Sequence, residues 1–238
     1  MLGENEAKDY SPNRATHSTM TNIHIPQRTF FHYTHLAPYR RTPPKIDGNL
    51  NDWAEDEHLP DLMPVEGLDA YATLYMAWND DALYFGLEVP RKTTYKIDPR
   101  KPANGDCLEL FLDTRDVKDA HRGNRYCHRF FFLPGGTGKD GKSPIGRQSS
   151  LEKAREQAPP CPEESIAVGL RRLKRSYQME IALPANGLNG FEPRDFNRIG
   201  FTYILHDSQH GLQTWSAGRD VQVAQDPGTW GTVELEPE

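Results

Sequence analysis

Residues 70–89 read AYATLYMAWNDDALYFGLEV. Tyr71, Thr73, Tyr75 and Ala77 alternate with Ala72, Leu74, Met76 and Trp78, the two-residue period of a β-strand whose side chains point to opposite faces. Asn79-Asp80-Asp81 then supplies turn chemistry, because Asx side chains bond their own backbone, and Ala82–Val89 reads as the returning strand.

The same period recurs outward from this hairpin. DCLELFLD, residues 106–113, puts Leu108, Leu110 and Leu112 on one face and Cys107, Glu109 and Phe111 on the other. RYCHRFFFL (125–133) pairs with it across a polar loop, and further strands are expected at 165–173, 177–184, 197–207 and 231–236. Upstream, KIDGNLNDWAED (45–56) strings Asp-Gly and Asn-Asp turn formers before an indole, a tight polar corner closed by Trp53. One segment has helical composition: SLEKAREQA (150–158), which ends before Pro159-Pro160. It lies in an insert, residues 134–162, opened by the Gly-rich GGTGKDGK and expected to be a mobile surface excursion. The spacing GxxxxGK[ST] of a phosphate loop is absent from it.

Short strands, tight turns and one short helix in the insert predict an all-β protein, an antiparallel β-sandwich. Two sheets would bury the inner alternating residues at about 1.5–3 kcal/mol per large side chain. One domain is expected over residues 40–238, with 1–39 a disordered or extended N-terminal segment. Trp53 and Trp230 are expected to plug the ends of the sandwich, and Trp78 to pack in the core or at an edge. The cluster Arg171-Arg172-Leu173-Lys174-Arg175 reads as a hairpin turn with solvated charges.

Nineteen Gly and nineteen Pro among 238 residues suit many turns. A formal charge of −6 argues against nucleic acid as a partner. No run approaches the roughly 20 apolar residues needed to cross a bilayer, which argues against membrane insertion. The first 22 residues lack the apolar core of a secretory signal, so a cytoplasmic location is expected, or an extracellular or periplasmic one if the true start lies elsewhere. Cys107, Cys127 and Cys161 match no zinc spacing and are expected as reduced thiols.

The order of the pieces is specific: IDG-x-L-x-DW, a strand ending in Trp-Asx-Asp, xLYF, GDCLELFLD, YQMEIALP, RIGFTYILHDS, a Trp, and a closing WGTVEL. From Lys45 to Leu235 this resembles the family 9 carbohydrate-binding modules, within the wider group of DOMON-like sandwiches. The resemblance implies a jelly-roll-like sandwich that binds saccharides without cleaving them, in association with glycoside hydrolysis in carbohydrate catabolism, and beside structural calcium. In that family two Trp rings sandwich a terminal sugar while carboxylate, Arg and amide groups hold its hydroxyls; apolar sugar faces need rings, and hydroxyls need fixed donors and acceptors.

Carried over residue by residue, the resemblance puts Glu109 in the binding strand and Trp215 in the place of one stacking ring. Pairing 107–113 with 125–131 sets Arg129 roughly opposite Glu109, on the face away from Leu108 and Leu110. The family's other stacking Trp has no counterpart in PRKPANG (99–105), where Ala103 falls near its place, and Tyr95 is the ring available to replace it. Calcium, if present, would fall to Asp207 or Asp80 in their Asp-rich turns, although Pro90 stands where the family has an acid. His206 and His210 have i,i+4 spacing but no Glu placed for metal-assisted hydrolysis.

Catalysis finds little support. Glu109 and Asp113 share a face but lie ~13 Å apart along the strand, beyond the roughly 5–10 Å separation of a glycosidase pair. Two alternatives to sugar binding remain: an interaction module with a degenerate sugar site, and a haem-binding electron-transfer domain with Met76 or Met179 and His128 as axial ligands.

Overall fold

The computed structural model describes residues 27–218 and 221–238. Strands β1 (Thr34–Ala37), β4 (Cys107–Asp113), β5 (Cys127–Thr137), β6 (Ser143–Ser149), β9 (Arg198–Asp207), β10 (Gly211–Thr214) and β11 (Gly231–Leu235) form one sheet. Its order is β1-β11-β9-β4-β5-β6, with β10 on β9 beyond the end of β11. Strands β2 (Thr73–Trp78), β3 (Ala82–Pro90), β7 (Ala167–Arg172) and β8 (Ser176–Pro184) form the second, in the order β2-β3-β8-β7. Every pairing is antiparallel except β1 with β11.

Alternation decides what lies between the sheets. Leu108, Leu110 and Leu112 of β4 join Phe130 and Phe132 of β5 and Phe201 and Leu205 of β9, facing Leu83, Phe85 and Leu87 of β3 and Met179 and Ile181 of β8, all buried. Phe85 and Phe201 stack across the layers at 5.6 Å. At about 25 cal/mol per Å² of apolar surface removed from water, this interlayer is the main source of stability. Met76 and Met179 are fully buried in this packed cluster, so neither stands as an open axial ligand for haem.

The corner at 45–56 closes on the outer face of the four-stranded sheet. The Glu180 carboxylate accepts the N–H groups of Asp47 (3.0 Å), Gly48 (2.7 Å) and Asn49 (3.1 Å), and its other oxygen accepts the indole N–H of Trp53 (2.9 Å). Trp53 thus helps shut the turn, but the anchor is a buried carboxylate on β8. Gly48 sits at φ +85°, and a Cβ there would lie 2.5 Å from the backbone of Arg171; only glycine fits. Trp78 lies in the core, and Trp230 packs on Phe111 outside the large sheet.

Several expectations change. The segment 150–158 is not a helix: Lys153 has φ +58°, and the Gln157 side chain bonds both the N–H and the C=O of Leu151. Nine residues before a Pro pair are too few to sustain an isolated helix against such contacts. The insert is not a loose excursion either, since β5 runs on to Thr137 and β6 returns beside it as an edge strand. The fold also begins before residue 40, because β1 belongs to the sheet and the Arg28 guanidinium is buried against the carbonyls of Thr214 and Trp215 at 2.8 Å each. The rest of the expected N-terminal segment, residues 1–26, lies outside the described residues.

Candidate saccharide-binding groove

On the outer face of the seven-stranded sheet, β4 presents Cys107, Glu109, Phe111 and Asp113. Phe111 is covered by Trp230 and the segment around Val223, and Cys107 by the cluster of Leu133, Ile145 and Ile97. Glu109 lies between these two roofs. The observed register pairs Glu109 with Phe131 and Phe111 with Arg129, two residues from the expected register. An even shift keeps parity, so Arg129 still shares the face of Glu109 and reaches it on the diagonal. On the opposite side, Cys107 pairs with His206 of β9, which places that imidazole diagonal to Glu109 as well.

The carboxylate is therefore held from both flanks. Arg129 donates Nε and Nη2 to Oε2 at 2.7 and 2.6 Å, and His206 Nε2 lies 2.9 Å from Oε1. Burial pushes the Glu109 pKa up, but the His206 hydrogen bond and the Arg129 charge outweigh it and hold the group below the usual carboxylate range. Glu109 is thus an anion at neutral pH, shielded at 3% exposure. The Arg129 and His206 side chains each keep about a fifth of their surface in contact with solvent. Glu109 orients, and its two partners carry the polar contact surface.

Two depressions adjoin His206. One, of about 280 Å³, is lined by Ile204, Leu212, Thr214 and Val221; the other, of about 320 Å³, by Lys96, Asn104, Gly105 and Ser208. His206 and its cross-strand partner Leu212 line both, so the two depressions adjoin along this pair and are together called the groove. Phe131, half-buried, is the cross-strand partner of Glu109, with Arg147 beside it on β6, while the Arg129 guanidinium lies over the Phe111 ring at 5.7 Å.

The structure brings Glu109 and Arg129 together and leaves Trp215 and Tyr95 elsewhere. Trp215 is 1% exposed in the interlayer core, tilted against Phe201 at 5.6 Å, with its indole N–H donated to the Pro60 carbonyl at 3.0 Å. It is not a surface stacking ring; its polar neighbours Gln213, Thr214 and Ser216 are buried with it. Tyr95 packs on Tyr177 of β8 under the Arg172 guanidinium and lines neither depression. Local pattern marks His206 only as a candidate metal ligand and does not single out Phe131. Phe131 was available from its parity with Arg129, whereas His206 depends on the pairing of β4 with β9, about 90 residues apart in sequence.

The calcium expectation does not fit these residues. Asp207 is buried against the Lys92 ammonium at 2.9 Å, and its other oxygen accepts the N–H groups of Gln209 and His210. Asp80 is held by Arg194 through both oxygens, at 2.8 and 2.6 Å. Among the described residues no three Asp, Glu, His or Cys side chains converge as a metal-ligand set. His128 is buried too, its pKa pushed down to about 4 by burial.

The chain belongs to the family described as carbohydrate family 9 binding domain-like, whose sequence profile matches residues 46–238. It is similar in structure to a family 9 carbohydrate-binding module from Caldicellulosiruptor kristjanssonii in complex with cellotriose, at 16% identity and a TM-score of 0.60. That similarity covers 87% of this chain and 95% of the module. The same organism's family 9 module in complex with glucose gives a TM-score of 0.59 at 16% identity, over 87% of this chain and 97% of the module. No curated protein sequence matches the chain.

Proposed function

We propose that this family 9 member binds a short saccharide, without cleaving it, in the groove above Glu109. The observation that carries the reading is the buried carboxylate that holds Arg129 and His206 at the surface, with His206 lining two adjoining depressions of about 280 and 320 Å³. Fixed N–H donors meet vicinal hydroxyls, while Phe131 and the aliphatic floor of Ile204 and Leu212 meet the C–H face. The family membership and the cellotriose- and glucose-bound structures support the ligand class.

Catalysis is disfavoured by the same geometry. Both Glu109 oxygens are bonded to protein, and its carboxyl is ionised, so it cannot serve as a general acid. Asp113, the next acid on that face, accepts the N–H groups of Arg115 and Val117 and lies ~13 Å along the strand.

A single ring and a few charge-assisted hydrogen bonds predict weak binding, with Kd of about 0.1–1 mM, or roughly 4–5.5 kcal/mol. A glycan array, followed by calorimetric titration with cellotriose and glucose, tests the proposal. Saturable binding that weakens at least tenfold in folded Arg129→Ala and Phe131→Ala proteins is expected. A flat response across the array, or full binding by both variants, would overturn it.

A further inference from the structure

Beside the groove, at the end of the sandwich, a single ammonium is enclosed by oxygen. Lys92 Nζ lies 2.8 Å from Asp106 Oδ1, 2.9 Å from Asp207 Oδ2 and 3.2 Å from Ser208 Oγ. The side chains of Lys92, Asp106 and Asp207 expose no surface. Backbone N–H groups bond the same carboxylates: Lys96 on Asp106 Oδ2, Ser208 on Asp106 Oδ1, and Gln209 and His210 on Asp207 Oδ1, while Asp207 Oδ2 faces the ammonium alone. The face of the Tyr95 ring stands 5.7 Å from the ammonium.

Three oxygens from two distant stretches of chain, 106 and 207–208, thus converge on one positive centre supplied by a third. This is the arrangement by which proteins hold a hard cation, except that here the cation is covalently attached. Two carboxylates around one ammonium also leave an excess negative charge, which a divalent ion would cancel. An isolated buried carboxylate is costly, so the oxygens need a cation of some kind.

We propose that Lys92 is a tethered structural cation. Its ammonium ties the segment after β3 to the start of β4 and to the β9–β10 turn, and it makes this end of the fold independent of metal. Cutting the side chain back leaves a hole with three protein oxygens that, with waters completing the six to eight ligands calcium needs, takes calcium. The oxygens stand 2.8–3.2 Å from the vacated centre. They need to contract only modestly to reach calcium's roughly 2.3–2.6 Å, but much further for magnesium at about 2.0–2.1 Å.

Thermal unfolding of the full chain, with EDTA and with 5 mM calcium or magnesium as the probe ions at roughly millimolar affinity, tests this. The wild-type Tm is expected to be the same in all three. Lys92→Ala is expected to lose about 10 °C in EDTA and to recover several degrees, saturably, with calcium but not magnesium. A wild-type Tm that falls in EDTA would overturn the proposal, as would a folded Lys92→Ala protein that ignores calcium. If Lys92→Ala does not fold even with calcium, the triple variant Lys92→Met, Asp106→Asn, Asp207→Asn decides. Its folding without a calcium response supports charge neutralisation as the role of Lys92, and its failure to fold overturns it.

Discussion

Replacing Glu109 with Gln removes one charge and almost no volume, which isolates what the carboxylate does. In the native protein it receives two hydrogen bonds from Arg129, at 2.6 and 2.7 Å, and one contact with His206 at 2.9 Å, at 3% exposure. Gln keeps one acceptor oxygen, so the Arg129 contact persists as an ordinary charge-to-amide bond while the second oxygen becomes an NH₂ donor. A hydrogen bond to a charged group contributes about 1.5–3 kcal/mol, and one such bond is lost or weakened on each side. The expected destabilisation is about 2–3 kcal/mol by urea unfolding at pH 7, with an unchanged m-value. The sign with pH follows from the depressed carboxyl: its contribution is full above the unfolded Glu pKa and is lost as pH falls through the lower folded value. The gap between wild type and Glu109→Gln should therefore close in acid. Saccharide binding should fall about tenfold, since Arg129 and His206 lose their fixed orientation. A loss below about 0.5 kcal/mol with binding intact would refute the reasoning, because surface ion pairs that orient nothing behave that way.

Four further outcomes follow from other parts of the fold. His128, whose pKa falls from 6.5 to about 4 on burial, binds its proton more readily in the unfolded chain. Stability should therefore drop as pH falls from 6.5 towards 4, by up to about 3 kcal/mol, and His128→Leu should remove that part of the slope in chemical unfolding at stepped pH. Trp215→Ala should cost about 3–5 kcal/mol of stability by leaving a core cavity, and Trp215→Phe, which keeps a ring in the core, should preserve saccharide affinity in calorimetry. Gly48→Ala should destabilise by well over 1 kcal/mol in urea unfolding, because its Cβ would meet backbone at 2.5 Å. Gly67→Ala, at φ +68° with open space around it, should cost only the left-handed strain of about 1–2 kcal/mol.

What could be read from the chain was local. The alternation of Leu108, Leu110 and Leu112 with Cys107, Glu109 and Phe111 assigns faces without knowledge of the partner strands, and the even register shift left the Glu109–Arg129 pairing intact. Sites that depend on distant partners were not legible. Gln213, Thr214 and Ser216 make Trp215 look exposed, yet Gln213 is satisfied by the backbone of Tyr71 and Ala72 and by Tyr203, and Thr214 by Arg28. Buried polar groups of this kind carry no local mark, because their partners lie up to 186 residues away. Edge strands β6 and β10 escaped for a related reason: Gly, Ser and Gln at a sheet margin have the composition of a loop.

The central claim is that a sugar rests across Arg129, His206 and Phe131 on the outer face of the large sheet. Titration of the ¹⁵N-labelled protein with the tightest saccharide from the array, followed by amide shifts, measures this directly. Saturable shifts centred on residues 129–131, 204–206 and 212, with the corner at 47–53 unmoved, are the expected result. Saturable shifts confined to the four-stranded sheet, or no saturable shift with any saccharide, would contradict it.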